Sequence, residues 1–120
     1  FKNALLDNSK SVFSGLIKVE PEAQNTDSFQ TNRNLLLSPE AEADSLPGLE
    51  ILANEVKCSH GATTSKIDEQ ELFYLQSRGM TKKQSEKLIV LGFFEEIIGQ
   101  IKNETIIEEL RNEVSNFFNL

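Results

Sequence analysis

The hydrophobic period of this chain changes once, near Asp68, which limits it to folds that join a strand-rich part to a helical one. Before that point the apolar residues come in short runs: Gly15-Leu16-Ile17-Lys18-Val19, Asn34-Leu35-Leu36-Leu37, Leu49-Glu50-Ile51-Leu52-Ala53 and Val56-Lys57-Cys58. Between them stand the turn formers Pro21, Asn25, Asp27, Ser38-Pro39, Asp44-Ser45 and Pro47-Gly48. Runs broken this often read as strands. A faint repeat runs through them: Val19-Glu20-Pro21-Glu22-Ala23 returns 18 residues later as Leu37-Ser38-Pro39-Glu40-Ala41. An Asp-Ser pair follows each copy, Asp27-Ser28 and then Asp44-Ser45. A strand-turn unit at that spacing fits the stacked coils of a β-solenoid. The pattern alone fits an antiparallel meander equally well.

From Asp68 the period is helical. Asp68-Glu69-Gln70-Glu71 is a capping-box arrangement, in which each end residue can satisfy a backbone amide of the other. The helix it opens should reach Ser77 and stop at Arg78-Gly79, with glycine supplying the left-handed residue past the end. Thr81-Lys82-Lys83-Gln84 opens a longer helix to about Lys102. Its apolar residues, from Ile89 through Phe93 and Phe94 to Ile101, cover about half the circumference, which implies more than one packing partner. A third helix from about Glu104 carries Ile107, Leu110, Val114 and Phe117 on one face. Five of the eight phenylalanines lie in this part, enough for a small aromatic core of its own. The reading is therefore mainly β with C-terminal α, residues 1–67 in strands and 68–120 in helices.

Composition removes several functions. With 12 basic against 19 acidic residues and a net charge of −7, the surface is wrong for nucleic acid, whose phosphates demand a basic face. No apolar run approaches the roughly 18–20 residues that cross a bilayer, so no membrane span is expected. Phe1-Lys2-Asn3-Ala4 does not open a secretory leader. Phe1 is not an initiator methionine, so the chain is expected to be a processed product or a piece of something longer. One cysteine, Cys58, cannot form an internal disulfide and fits a reducing compartment.

Cys58 and His60 are the only soft metal donors. Two residues apart in a strand, they share a face with Cα atoms about 7 Å apart, close enough to reach one ion or one cluster edge. A closed site takes four protein ligands, so the others must come from another chain, from a missing segment or from carboxylates. The plain alternative is that Cys58 fills space as a small hydrophobe and His60 holds a turn, with Gly61 adopting a positive φ. No Asp or Asn is placed to orient His60 as a base for Cys58, and the six glycines form no phosphate loop. Paired carboxylates for glycoside cleavage do not stand out from a solvated surface.

Several ordered motifs carry a resemblance. They are residues 26–38 (Thr26-Asp27-Ser28-Phe29-Gln30-Thr31-Asn32-Arg33-Asn34-Leu35-Leu36-Leu37-Ser38), Leu49-Glu50-Ile51, Val56-Lys57-Cys58-Ser59-His60-Gly61-Ala62-Thr63 and Leu72-Phe73-Tyr74-Leu75-Gln76-Ser77-Arg78-Gly79. Together they resemble the SufB/SufD family of iron–sulfur cluster assembly proteins, most nearly the C-terminal part of the SufD type. The SufD side is suggested by Gly61, where SufB-like sequences are acidic, and by Asn32-Arg33-Asn34, where they carry a functional cysteine. Thr64-Ser65-Lys66-Ile67 looks more like the SufB version of its turn.

The resemblance implies the last rungs of a right-handed parallel β-helix followed by a small helical domain. It implies a non-enzymatic scaffold that pairs with a SufB-like subunit through the β-helix and with a SufC-like ABC-type ATPase through its helices. A homodimer is the other assembly it allows. A transient iron–sulfur cluster or iron would form at the subunit interface, with His60 and Cys58 as this chain's contribution and no cofactor on the isolated piece. Ser77, Arg78, Gly79, Phe93 and Phe94 become the expected ATPase contacts. The compartment would be cytoplasmic, or a plastid in a plastid-bearing source. The competing reading is a carbohydrate-active β-helix protein, which requires a long groove of charged residues.

Overall fold

The computed structural model describes residues 1–118, in two compact units, Phe1–Lys66 and a second that begins at Ile67. The first holds five strands: β1 (Lys2–Leu5), β2 (Lys10–Val19), β3 (Asp27–Leu36), β4 (Glu42–Ile51) and β5 (Lys57–Lys66). They alternate between two sheets, ordered β1-β3-β5 and β2-β4, and every pairing among them is parallel. Consecutive strands never pair, which excludes an antiparallel meander.

The register sets the stacking period. Lys2 lies opposite Arg33, Lys10 opposite Glu42 and Asp27 opposite Lys57, so one layer follows another every 30 to 32 residues. The 18-residue repeat is therefore not the stacking unit. Pro21 sits in the turn from β2 to β3 and Pro39 in the turn from β3 to β4, two successive corners of the path. Each corner stacks on the one a full layer away: the Asn25 N–H donates to Glu55 O at 2.6 Å, and the Leu37 N–H to Leu5 O at 2.8 Å. Asp7 and Asn25 take the left-handed backbone at these corners, with φ of 56° and 62°, which their short polar side chains tolerate.

Strands β2 to β5 are ten residues each, about twice the length of the apolar runs. Asp27 opens β3, and Asp44-Ser45 and Pro47-Gly48 lie inside β4 rather than in turns. Strand β4 pairs on one side only, and at a sheet edge a missing proline N–H removes no ladder bond. Nor does the chain turn at His60-Gly61-Ala62-Thr63. Strand β5 runs through to Lys66, and Gly79 is the one glycine with a positive φ among the described residues. Leu5, Val19, Leu35, Ala41 and Ala53 form the buried apolar part of this unit, and Asn32 and Asn34 are buried beside them.

The second unit holds α1 (Glu69–Ser77), α2 (Lys82–Ile98) and α3 (Glu104–Phe117). Asp68 caps α1 by accepting from the amides of Gln70 and Glu71, and at Thr81–Gln84 the capping box closes in both directions. Past α1, Gly79 has φ +96°, and the N–H groups of Gly79 and Met80 donate to Gln76 O and Leu75 O, the Schellman pattern. Helix α2 packs against both α1 and α3, which accounts for its broad apolar stripe. Its core positions are Ser85, Val90 and Ile98, joined by Ile107 of α3 and by Phe118.

The expected face of α3 is rotated. Leu110 is 38% and Phe117 51% exposed, while Phe118 is 7% exposed. At 3.6 residues per turn Phe118 falls within about 20° of Ile107, whereas Phe117 lies about 80° away.

An ion pair joins two helices of this unit. The Arg111 Nε donates to Glu95 Oε2 at 3.1 Å and its Nη2 to Oε1. These hydrogen bonds hold the Glu95 carboxyl below its ordinary value, with Coulomb attraction to Arg111 adding to them. A depressed carboxylate contributes stability above its unfolded pKa and loses it as pH falls through the folded value. Arg111→Met should therefore lower the melting temperature slightly at neutral pH and leave it unchanged at the acid end. The effect is small because both side chains are near half exposed. Melting curves across pH check it; equal offsets at all pH values would contradict it.

Candidate functional site

Among the described residues β5 is the last strand of its sheet, so one of its edges carries no partner strand there. Cys58 and His60 lie on one face of it. That face continues the row Ser28, Gln30, Asn32 and Asn34 of β3, because Ser28 is opposite Cys58, Gln30 opposite His60 and Asn34 opposite Thr64. On β3 the row is half-buried to buried. On β5 Cys58 is half-buried and His60 exposed. The Ser28 hydroxyl donates to Cys58 Sγ at 3.1 Å.

The pair is thus side by side, open to one side and supported from the other. Two donors on neighbouring same-face positions can bind an ion's edge but cannot close around it. Among the described residues no three of His, Cys, Asp and Glu come together to hold a metal ion. The pair's chemistry accordingly suits a site completed by donors from elsewhere.

The helical candidates separate into two groups. Arg78 and Gly79, with Met80, line a shallow depression of about 480 Å³ that Gln84, Leu88 and Leu91 of α2 complete. The Arg78 guanidinium lies 5.2 Å from the Tyr74 ring centroid, a cation–π contact that holds it over the end of α1. Ser77 turns back onto its own helix, donating to Tyr74 O at 2.7 Å. Phe93 and Phe94 are half-buried and pack edge to face at 5.3 Å, away from the depression. Leu88, 47% exposed, and Met80 are apolar contacts in that depression that the sequence reading did not single out. Only the place of Leu88 on α2 opposite the Arg78-Gly79 turn reveals that residue.

A second depression, of about 370 Å³, lies between the stacked corners of the β unit, with Asp27, Glu55 and Lys57 in its wall. Among the described residues no helix is long and apolar enough to cross a membrane.

The chain thus joins a parallel two-sheet unit, with Cys-x-His on its edge strand, to a set of helices. Residues 1–93 match the family described as SUF system FeS cluster assembly, SufBD core domain, and the chain belongs to that family. It is 40% identical over 109 residues, or 91% of its length, to the iron–sulfur cluster assembly protein SufD of Escherichia coli, of which this covers 26%. It is 38% identical over 107 residues to the chloroplastic protein ABCI7 of Arabidopsis thaliana, 89% of this chain and 22% of that one. With SufD of Bacillus subtilis it shares 33% identity over 104 residues, 87% of this chain and 24% of the relative. The chain spans about a quarter of the length of these curated relatives. The family displaces the carbohydrate-active reading.

Proposed function

We propose that the chain is the C-terminal portion of a SufD-type scaffold subunit in iron–sulfur cluster assembly, and that it catalyses no reaction itself. In this reading the β unit is the end of a right-handed parallel β-helix, and the alternation of two parallel sheets supports it. The β-helix pairs with a SufB-like subunit, and the helical unit binds a SufC-like ABC-type ATPase. The nascent cluster is cargo, held briefly between chains and released. His60 and Cys58 are this chain's donors, and the partner supplies the rest.

The observation that carries the proposal is the Cys58–His60 pair on an edge strand inside the family-matched segment. Two soft donors in reach of one ion, Cys58 half-buried and His60 exposed on an edge strand that a second chain can approach, match the demands of a shared and transient site. The relatives named for bacteria and for chloroplasts support a cytoplasmic or plastid compartment, according to source.

The full-length parent protein, expressed in cells lacking their SufD-type subunit, tests the proposal. It should restore iron–sulfur enzyme activity and co-purify with SufB- and SufC-like proteins. A homodimer that captures neither and restores nothing would overturn it. Arg78→Glu, which reverses the charge at the rim of the helical depression, should weaken capture of the ATPase about tenfold, the scale of a lost interface charge contact. Undiminished capture would take Arg78 out of that interface.

A further inference from the structure

Strand β3 lies beside β5 in the same sheet, in parallel register, with Ser28 opposite Cys58 and Gln30 opposite His60. Neighbouring strands are about 4.8 Å apart, so the side chains of such partners stand in contact range on one face. The first pair is joined already, since the Ser28 Oγ donates to Cys58 Sγ at 3.1 Å.

The second pair is complementary but unmade. Gln30 Oε1 is buried and has no hydrogen-bond partner among the protein groups. The amide lies against the facing sheet: a Cβ on Gly15 would come within 2.6 Å of Gln30 Nε2 and 2.7 Å of the Phe13 ring. Gly15 therefore leaves the space in which the Gln30 amide spans the interior. A buried carbonyl oxygen without a donor is costly, and a group left so in a native protein calls for an explanation. The side chain opposite it in the ladder is an imidazole, whose N–H is a donor. A ligating histidine commonly gives its second ring N–H to such an acceptor, which fixes the tautomer and leaves the other nitrogen's lone pair for the metal.

We propose that Ser28 and Gln30 are positioning residues for the Cys58–His60 pair. Ser28 fixes the thiol's direction through its hydroxyl. Gln30 Oε1 takes one imidazole N–H and turns the other ring nitrogen toward the incoming iron. This rests on the reading of Cys58 and His60 as donors to the cluster. The competing fate for Gln30 Oε1 is a water bridge to Asn32 Nδ2, the other buried side-chain group without a partner.

The test uses the full-length parent co-expressed with its SufB- and SufC-like partners and isolated without oxygen. Bound iron per complex, the melting temperature and the His60 ring ¹⁵N signals are read for Ser28→Ala, Ser28→Thr, Gln30→Met, Gln30→Glu and His60→Ala. Ser28→Ala and Gln30→Met should each lower bound iron about tenfold, the usual cost of losing a group that orients a ligand. Ser28→Thr and Gln30→Glu keep the hydroxyl and the acceptor and should keep most of the iron. In Gln30→Met the His60 signals should pass from one tautomer to a mixture. Iron retained in Ser28→Ala and Gln30→Met but lost in His60→Ala would overturn the positioning role alone. Iron retained in His60→Ala would overturn the reading on which it rests. An unchanged tautomer in Gln30→Met, with only the melting temperature lowered, would assign Gln30 to the water bridge and overturn its role here.

Discussion

Asn34→Ala is expected to destabilise the β unit by about 3 kcal/mol, through buried hydrogen bonds left without partners and a small cavity. Asn34 is 2% exposed and Asn32 fully buried. The Asn3 Nδ2 donates to Asn34 Oδ1 at 2.8 Å, and the Asn34 Nδ2 donates to Asn32 Oδ1 at 2.9 Å and to Ser45 Oγ at 3.2 Å. The Ser45 hydroxyl in turn donates to Asn32 Oδ1. One amide thus ties β1 and β3 of one sheet to β4 of the other. Removing it leaves the Asn3 donor and part of the Asn32 acceptor unmet, and each such group costs its full desolvation.

Replacement by leucine should cost a similar amount, since the partners are still left unpaired. Leu46→Ser, on the outward face of β4 at 63% exposure, should change stability by less than about 0.5 kcal/mol. Urea unfolding of the three variants checks the ranking. A neutral Asn34→Ala would mean that the polar interior does not hold the two sheets together.

That interior also explains how far the sequence could be read. The change of period at Asp68 and the stops and caps at Asp68, Gly79 and Thr81 were legible because each is a local backbone requirement met by a particular residue type. The strands were legible only in part. In the first halves of β2, β3 and β4 several positions invert the usual polarity: Ser11, Ser28, Gln30 and Ser45 turn inward while Val12, Phe29 and Leu46 face solvent, although Phe13 and Ala43 still point in. An apolar-run reading therefore caught mainly the second halves, where Ile17, Val19 and Leu49 point in and Leu35, on the face of β3 opposite Asn34, is buried as well. Pro47-Gly48 reads as a turn unless β4 is known to be an edge. The stacking period was hidden for a similar reason, because Pro-Glu-Ala marks successive corners rather than successive layers.

The candidate site fared differently. Spacing alone put Cys58 and His60 on one face, and the register of β5 agrees. The support beneath them, Ser28 and Gln30, lies 30 residues upstream in sequence and becomes a neighbour only through the stacking of layers. In the helical unit Arg78 and Gly79 were legible as a cap, but their partners in the depression, Gln84 and Leu88, come from the following helix.

The largest functional effect is expected at His60. It is exposed and lies at a sheet edge, so its side chain carries little of the fold, and His60→Ala should leave the melting temperature within about 2 °C of the parent's. If the imidazole is a donor to the cluster, its loss removes one of the two soft ligands this chain offers. Iron–sulfur enzyme activity should then fall at least about tenfold, as loss of a ligand or its support does. The decisive measurement is to make His60→Ala in the full-length parent and score iron–sulfur enzyme activity in cells lacking the native subunit. Melting temperature and co-purification with the SufB- and SufC-like partners are read from the same extracts. Lost activity with an intact, equally stable complex is the predicted result; full activity, or a loss matched by unfolding, would contradict a role for His60 in cluster assembly.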